Sequence, residues 1–168
     1  MTTTITGADG VSKVQTGAIE HGDLPSGSVL QVVQTTSTTE TSTAATQTWV
    51  DVAATATITP TSAASKILVL HSAGGMSLAQ DVSVSFQLLR GSTAVMVLDR
   101  LGYSALNSWL PFPYSVNYVD SPNTTSATTY KFQVRINAAG VIRHNATSAG
   151  TNVTPIASST VILMEIQG

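Results

Sequence analysis

Residues 56–72 read ATITPTSAASKILVLHS. A strand-like run ends at Pro60, whose missing N–H cannot serve a β-ladder. A turn of small residues follows, and Lys66 then opens the apolar run Ile67, Leu68, Val69, Leu70. A strand with one wet face alternates apolar and polar residues, and this one does not. Both of its faces are therefore expected to meet apolar surroundings. In a sandwich the inner face packs on the second sheet. The outer face then needs a cover of its own, either a neighbouring subunit about a threefold axis or an N-terminal segment laid across the sheet.

The flanking sequence agrees with β-structure. SVLQVVQTT (28–36) reads as a first strand, and TSTTETSTAATQ (36–47) as a Thr/Ser linker or loose hairpin. TWVDV and ATIT are short strands before Pro60. VSVSFQLLR alternates, with Val82, Val84, Phe86 and Leu88 on one side and Ser83, Ser85 and Gln87 on the other. Arg90-Gly91-Ser92 turns the chain into TAVMVL as a hairpin partner. LNSWLPFPYSVNYVD reads as a loop broken by Pro111 and Pro113, then a strand. TYKFQVRIN alternates again, with Tyr130, Phe132, Val134 and Ile136 inward, and VIRHN and SSTVILMEI follow. No segment sustains a 3.6-residue apolar stripe. Short strands separated by turn residues predict an all-β fold, a jelly-roll-like antiparallel β-sandwich over residues 28–168.

Composition narrows the function classes. Of 168 residues only 10% are charged, while 42% are hydrophobic. Ser, Thr, Asn and Gln replace the missing charge, which suits pleated surfaces and subunit contacts where charges would be desolvated. The net charge is −2 with no basic cluster, so nucleic-acid binding is not expected. Cysteine is absent, which excludes disulfides and thiolate metal sites. MTTTITGADGV has no basic n-region or apolar h-region, so neither a signal peptide nor a membrane span is expected.

Residues 1–27 form a separate zone with glycines at positions 7, 10, 17, 22 and 27. They read as an extended arm, with one short strand over Val11–Thr16, or as a free tail. The spaced apolar residues Ile5, Val11, Val14, Ile19 and Leu24 favour a segment that orders on a partner.

The succession GSVLQVVQT, TWVDV, ATITPTSAASKILVL, FQLLRGSTAV, VDSPNTTSATTYKFQV and SSTVILMEI resembles a family of bacteriophage virion proteins of the tail-fibre-like, head-fibre or capsid decoration type, common in cyanophages and marine phages. The likeness runs from about Gly27 to Gly168. It implies a trimeric β-sandwich displayed on the particle and joined to capsid or tail proteins by an N-terminal segment, with no catalytic residue. Because only residues 1–27 precede the sandwich, a decoration or cement protein fits better than a long fibre. A virion also reconciles an N-terminus without an export signal with an uncharged surface suited to life outside the cell. The alternative reading is a tail-fibre tip that recognises host-surface glycans.

Chemistry is sparse. His21, His71 and His144 lie far apart with no metal-ligand spacing, so no metal or cofactor is expected. His71 is expected to be a hydrogen-bonded histidine at a strand end. GYSAL (102–106) lacks the second glycine of a nucleophile elbow. Asp81, Asp99, Asp120 and Glu165 are scattered, and an Asx-turn accounts for Asp120. No acidic cleft is visible for a sandwich-fold glycan hydrolase, so an enzyme is not expected. Asn123, Asn145 and Asn152 match the glycosylation sequon by chance in a Thr-rich chain. The cluster Trp109, Phe112, Tyr114 and Tyr118 has two readings: filling of the sandwich end or a trimer interface, and stacking on sugars.

Overall fold

The strand opened by Lys66 runs on through the glycines to Leu78. In the computed structural model, which describes residues 20–79, 81–104, 109–146 and 157–168, it is the centre of one sheet. The strands are β1 (Val29–Ser37), β2 (Thr41–Thr43), β3 (Val50–Ile58), β4 (Lys66–Leu78), β5 (Val82–Arg90), β6 (Thr93–Ser104), β7 (Leu110–Asp120), β8 (Thr128–Ile136), β9 (Ile142–His144) and β10 (Ser159–Ile166). A short 3₁₀ turn, His21–Asp23, precedes them.

The first sheet runs β1-β10-β4-β7, and short β9 and β2 extend it beside the far end of β4. The second runs β3-β8-β5-β6. Every pairing between named strands is antiparallel. Early and late strands interleave in both sheets, and six of the nine connections between successive strands cross from one sheet to the other. This is the strand order of a jelly roll.

The core lies between the sheets. Ile67, Val69, Val161 and Leu163 of the first sheet meet Val84, Phe86, Leu88, Tyr130, Phe132, Val134 and Ile136 of the second. Alternation in β5 and β8 therefore points inward as expected. TWVDV and ATIT merge into β3, with a register shift between Asp51 and Thr55. The prolines of β7 do not break it. Pro111 and Pro113 lie within the strand, which among the described residues pairs with β4 alone and so has a free edge, the place where a strand tolerates proline. The Thr/Ser linker contributes β2, paired with β9.

Gly74 and Gly75 interrupt the register of β4 between Ala73 and Met76. At this bulge β4 exchanges partners, from β10 over Lys66–Ala73 to β9 over Met76–Leu78. A Cβ at Gly75 would collide with Ala157 Cβ and lie 3.1 Å from the Ala146 carbonyl oxygen. The segments flanking β9 and β10 cross β4 only because that side chain is missing.

Candidate functional site

The run Ile67–Leu70 splits by face. Ile67 and Val69 are fully buried against the second sheet, whereas Leu68 and Leu70 point outward and are half-buried. Registers place their neighbours. Val32, Met164, Leu68 and Val119 form one row across β1, β10, β4 and β7. The next row is Gln34, Ile162, Leu70 and Asn117, and the third is Thr36, Thr160, Ser72 and Ser115. Val32 and Val119 are each 55% exposed. No charged side chain stands in these rows, and Lys66 marks their border. A shallow depression lies in this face, lined by Leu70, Ser72, Ser115, Asn117, Thr160 and Ile162.

The outer face of the second sheet is built differently. Ser83, Ser85, Gln87 and Leu89 point outward on β5 yet are buried, because long neighbours close over them. Gln87 donates to Gln133, and Gln133 and Lys131 both donate to Asp51. Ser85 donates to Asp99, which also pairs with Arg135 at 3.5 Å. Arg135 in turn lies over the Trp49 ring, 4.8 Å from its centroid. Burial alone would raise the Asp51 carboxyl, but hydrogen bonds from Lys131 and Gln133 hold it below its usual value. The Ser85 hydroxyl does the same for Asp99. This face ties its central polar groups to one another, and the exposed apolar side chains Val97, Leu101 and Tyr103 stand on the edge strand β6.

Among the described residues, three sets of ionisable side chains are buried inside the sandwich. Asp120 of β7 takes two hydrogen bonds from Arg90 of β5, both 3.0 Å, and one from the Tyr130 hydroxyl of β8. It is an inter-sheet tie rather than the Asx-turn residue expected. Glu165 is fully buried on β10 and accepts from the Thr61 amide and hydroxyl, each at 2.7 Å, and from Gln31. Burial raises its pKa, but the hydrogen bonds from Gln31 and Thr61 outweigh it and bring it to about 2.

The third group corrects the reading of His71. It stands mid-strand in the core rather than at a strand end, stacked on Phe132 at 4.1 Å between centroids. His144 of β9 lies 6.0 Å from it, and Tyr114 5.0 Å. Neither imidazole finds a hydrogen-bond partner among the described residues. Two histidines remote in sequence thus meet because the Gly74-Gly75 bulge brings β9 alongside β4. Yet no group of three or more His, Asp or Glu among the described residues could hold a metal.

Of the aromatic cluster, Phe112, Tyr114 and Tyr118 pack against the core, and Trp109 lies under Arg143, 5.3 Å from its guanidinium carbon. Core contact is thus the geometry of three of the four. Leu24 is half-buried. Ile5, Val11, Val14 and Ile19, and the expected strand over residues 11–16, lie outside the described residues. Asn145, one of the sequon residues, is buried and donates to the carbonyls of Ser37 and Thr39, so its amide is committed.

No protein-family model and no curated protein matches the chain. Among the solved structures similar to the chain is that of infectious bursal disease virus Gx strain, which matches 82% of this chain at 13% identity with a TM-score of 0.43. The match spans 38% of that chain.

Proposed function

We propose that the protein is a non-enzymatic structural subunit of a phage virion: a homotrimeric decoration, cement or short head-fibre protein that residues 1–27 attach to capsid or tail proteins. One observation carries this reading. The outer face of the β1-β10-β4-β7 sheet is uncharged over three rows and carries one row that is aliphatic on all four strands, whereas the centre of the opposite outer face is closed by its own polar network. A monomer has no use for that asymmetry, but a subunit that stacks on its copies does. Four strands about 4.8 Å apart and eight residues long give roughly 500 Å² a side, near the lower limit for a specific contact. The resemblance of residues 27–168 to phage virion proteins supplies the biological setting, and the sparse charge suits buried subunit contacts.

The experiment adds the full chain, and a chain starting at residue 20, to phage particles that lack the protein, then sediments them. Residues 20–28 are kept because Gly27 donates to the Gln167 carbonyl and Gln167 to that of Ser28. The full chain should co-sediment and the shortened one remain in solution, with light scattering giving a trimer for both. Equal co-sedimentation would move attachment onto the sandwich. A full chain that stays in solution, or a stable monomer, would overturn the reading.

A further inference from the structure

The sheet edges differ in how they are guarded. β7 carries Pro111 and Pro113. β3 carries Asp51 and a register shift beside it. β6 carries Asp99 and Arg100, with register shifts in its pairing to β5 and a left-handed backbone at Arg100 (φ 52°). β2 is only three residues long. Prolines, charges, bulges and shortness all discourage a second chain from pairing there. β1 has none of them from Gln31 to Ser37. Its one register shift falls before this run, between Val29 and Gln31, and no strand pairs its outer edge among the described residues.

We infer that the β1 edge pairs with the β1 edge of a second copy, antiparallel about a twofold axis, joining the two first sheets into one continuous sheet. An isologous contact sets each side chain near the axis against its own copy, so any charge there would repel itself. The run QVVQTTS has none. Full overlap of Gln31–Ser37 puts Gln34 opposite Gln34, Val33 opposite Thr35 and Val32 opposite Thr36. These are β-branched cross-strand pairs on both faces, with an amide pair on the axis. A partner of another kind would be selected by complementary charge, and the edge offers none to read. Edge pairing runs in the plane of the sheet, whereas stacking on the outer face runs perpendicular to it. The two contacts coexist, and this one does not depend on the trimer.

The test is sedimentation of the full-length chain and of Gln34→Lys and Gln34→Glu, alone and mixed, across micromolar concentrations. Gln34 is exposed, so neither change should shift the melting temperature. Gln34 also stands on the outer face, so the series is run in parallel in the Leu68→Asp background, where the face contact is already broken and doubling reads the edge alone. The wild type should show a concentration-dependent doubling of its smallest species, whatever that species is. Each charged variant should weaken that step by about tenfold or more, since like charges then meet on the axis. Mixing the two variants should restore it. The inference is overturned if the wild type never doubles, if either variant doubles as the wild type does, or if the mixture stays undoubled. A trimer that fails to form while the doubling persists would count against the face contact alone.

Discussion

The Tyr130 hydroxyl donates to Asp120 Oδ2 at 2.7 Å across the interior, from one sheet to the other. Arg90 holds the same carboxylate from the second sheet. Asp120 is 6% exposed, so its charge relies on these donors instead of water. Burial first, and the adjacent carboxylate second, push the Tyr130 hydroxyl well above its ordinary pKa, so it stays a donor at any working pH.

Tyr130→Phe should therefore lower stability by about 1.5–3 kcal/mol while leaving the ring packed, because a hydrogen bond to a charged acceptor is lost. Denaturant unfolding with an unchanged m-value would read this directly. A loss within error of zero would mean that Arg90 alone satisfies Asp120.

Glu165 anchors the loop that begins at Pro60. Its two bonds to Thr61 and one to Gln31 tie the β3–β4 connection to β10 and β1. Glu165→Gln keeps the shape but turns one acceptor oxygen into a donor that faces other donors. It should cost about 1–3 kcal/mol. Because the folded pKa lies near 2, below the ordinary 4.5, the wild-type advantage should be full above pH 4.5 and shrink as the pH falls towards 2. Melting temperatures of both proteins against pH would show the two curves converging in acid. Parallel curves would refute the assignment.

What the sequence makes legible follows from how local each signal is. Alternation in Val82–Leu88 and Tyr130–Ile136 marks inner faces because a strand's period is its own property. The apolar run Ile67–Leu70 likewise announces a strand with unusual demands on both sides. Long-range events leave no such mark. Nothing in the spacing of His71 and His144 shows that a glycine bulge brings them together. Pro111 and Pro113 look like strand breakers until β7 is known to be an edge. Asp120 beside Ser121-Pro122 carries turn chemistry in its neighbours, and its true partners, Arg90 and Tyr130, come from other strands. The outward serines of β5 look solvent-exposed because the Gln133, Asp51 and Asp99 side chains that close over them belong elsewhere.

The histidine pair makes the fold sensitive to mild acid. Burial, with His144 nearby, holds His71 down to about 3, and burial holds His144 down to about 4. In the unfolded chain both return to about 6.5. The unfolded state then binds more protons below that value, so stability is full above pH 6.5. It falls as pH drops towards 4, by up to about 1.4 kcal/mol per pH unit for each histidine. The double change His71→Leu, His144→Leu should flatten this slope between pH 6 and 4.5. Thermal melts across that window give the measurement, and an unaltered slope would assign the acid sensitivity to other groups.

The final prediction separates the two faces of β4 by neighbouring residues. Val69 is fully buried between the sheets, and Leu68 is half-buried on the outer face. Val69→Asp places a carboxylate where no donor waits, costs several kcal/mol, and should abolish folding. Leu68→Asp places the same carboxylate among Met164, Val119 and Val32, where water reaches it in the isolated subunit. It should fold with near-normal circular dichroism and a modest loss of melting temperature. In an assembled trimer that carboxylate would be buried, so the variant should fail to trimerise where the wild type does, while doubling through the β1 edge, which this change does not touch, should persist. Sedimentation beside thermal melts distinguishes the outcomes. A folded Leu68→Asp protein that still forms the trimer would show that this face is not the trimer contact, and an unfolded one would show that this face is already part of the core.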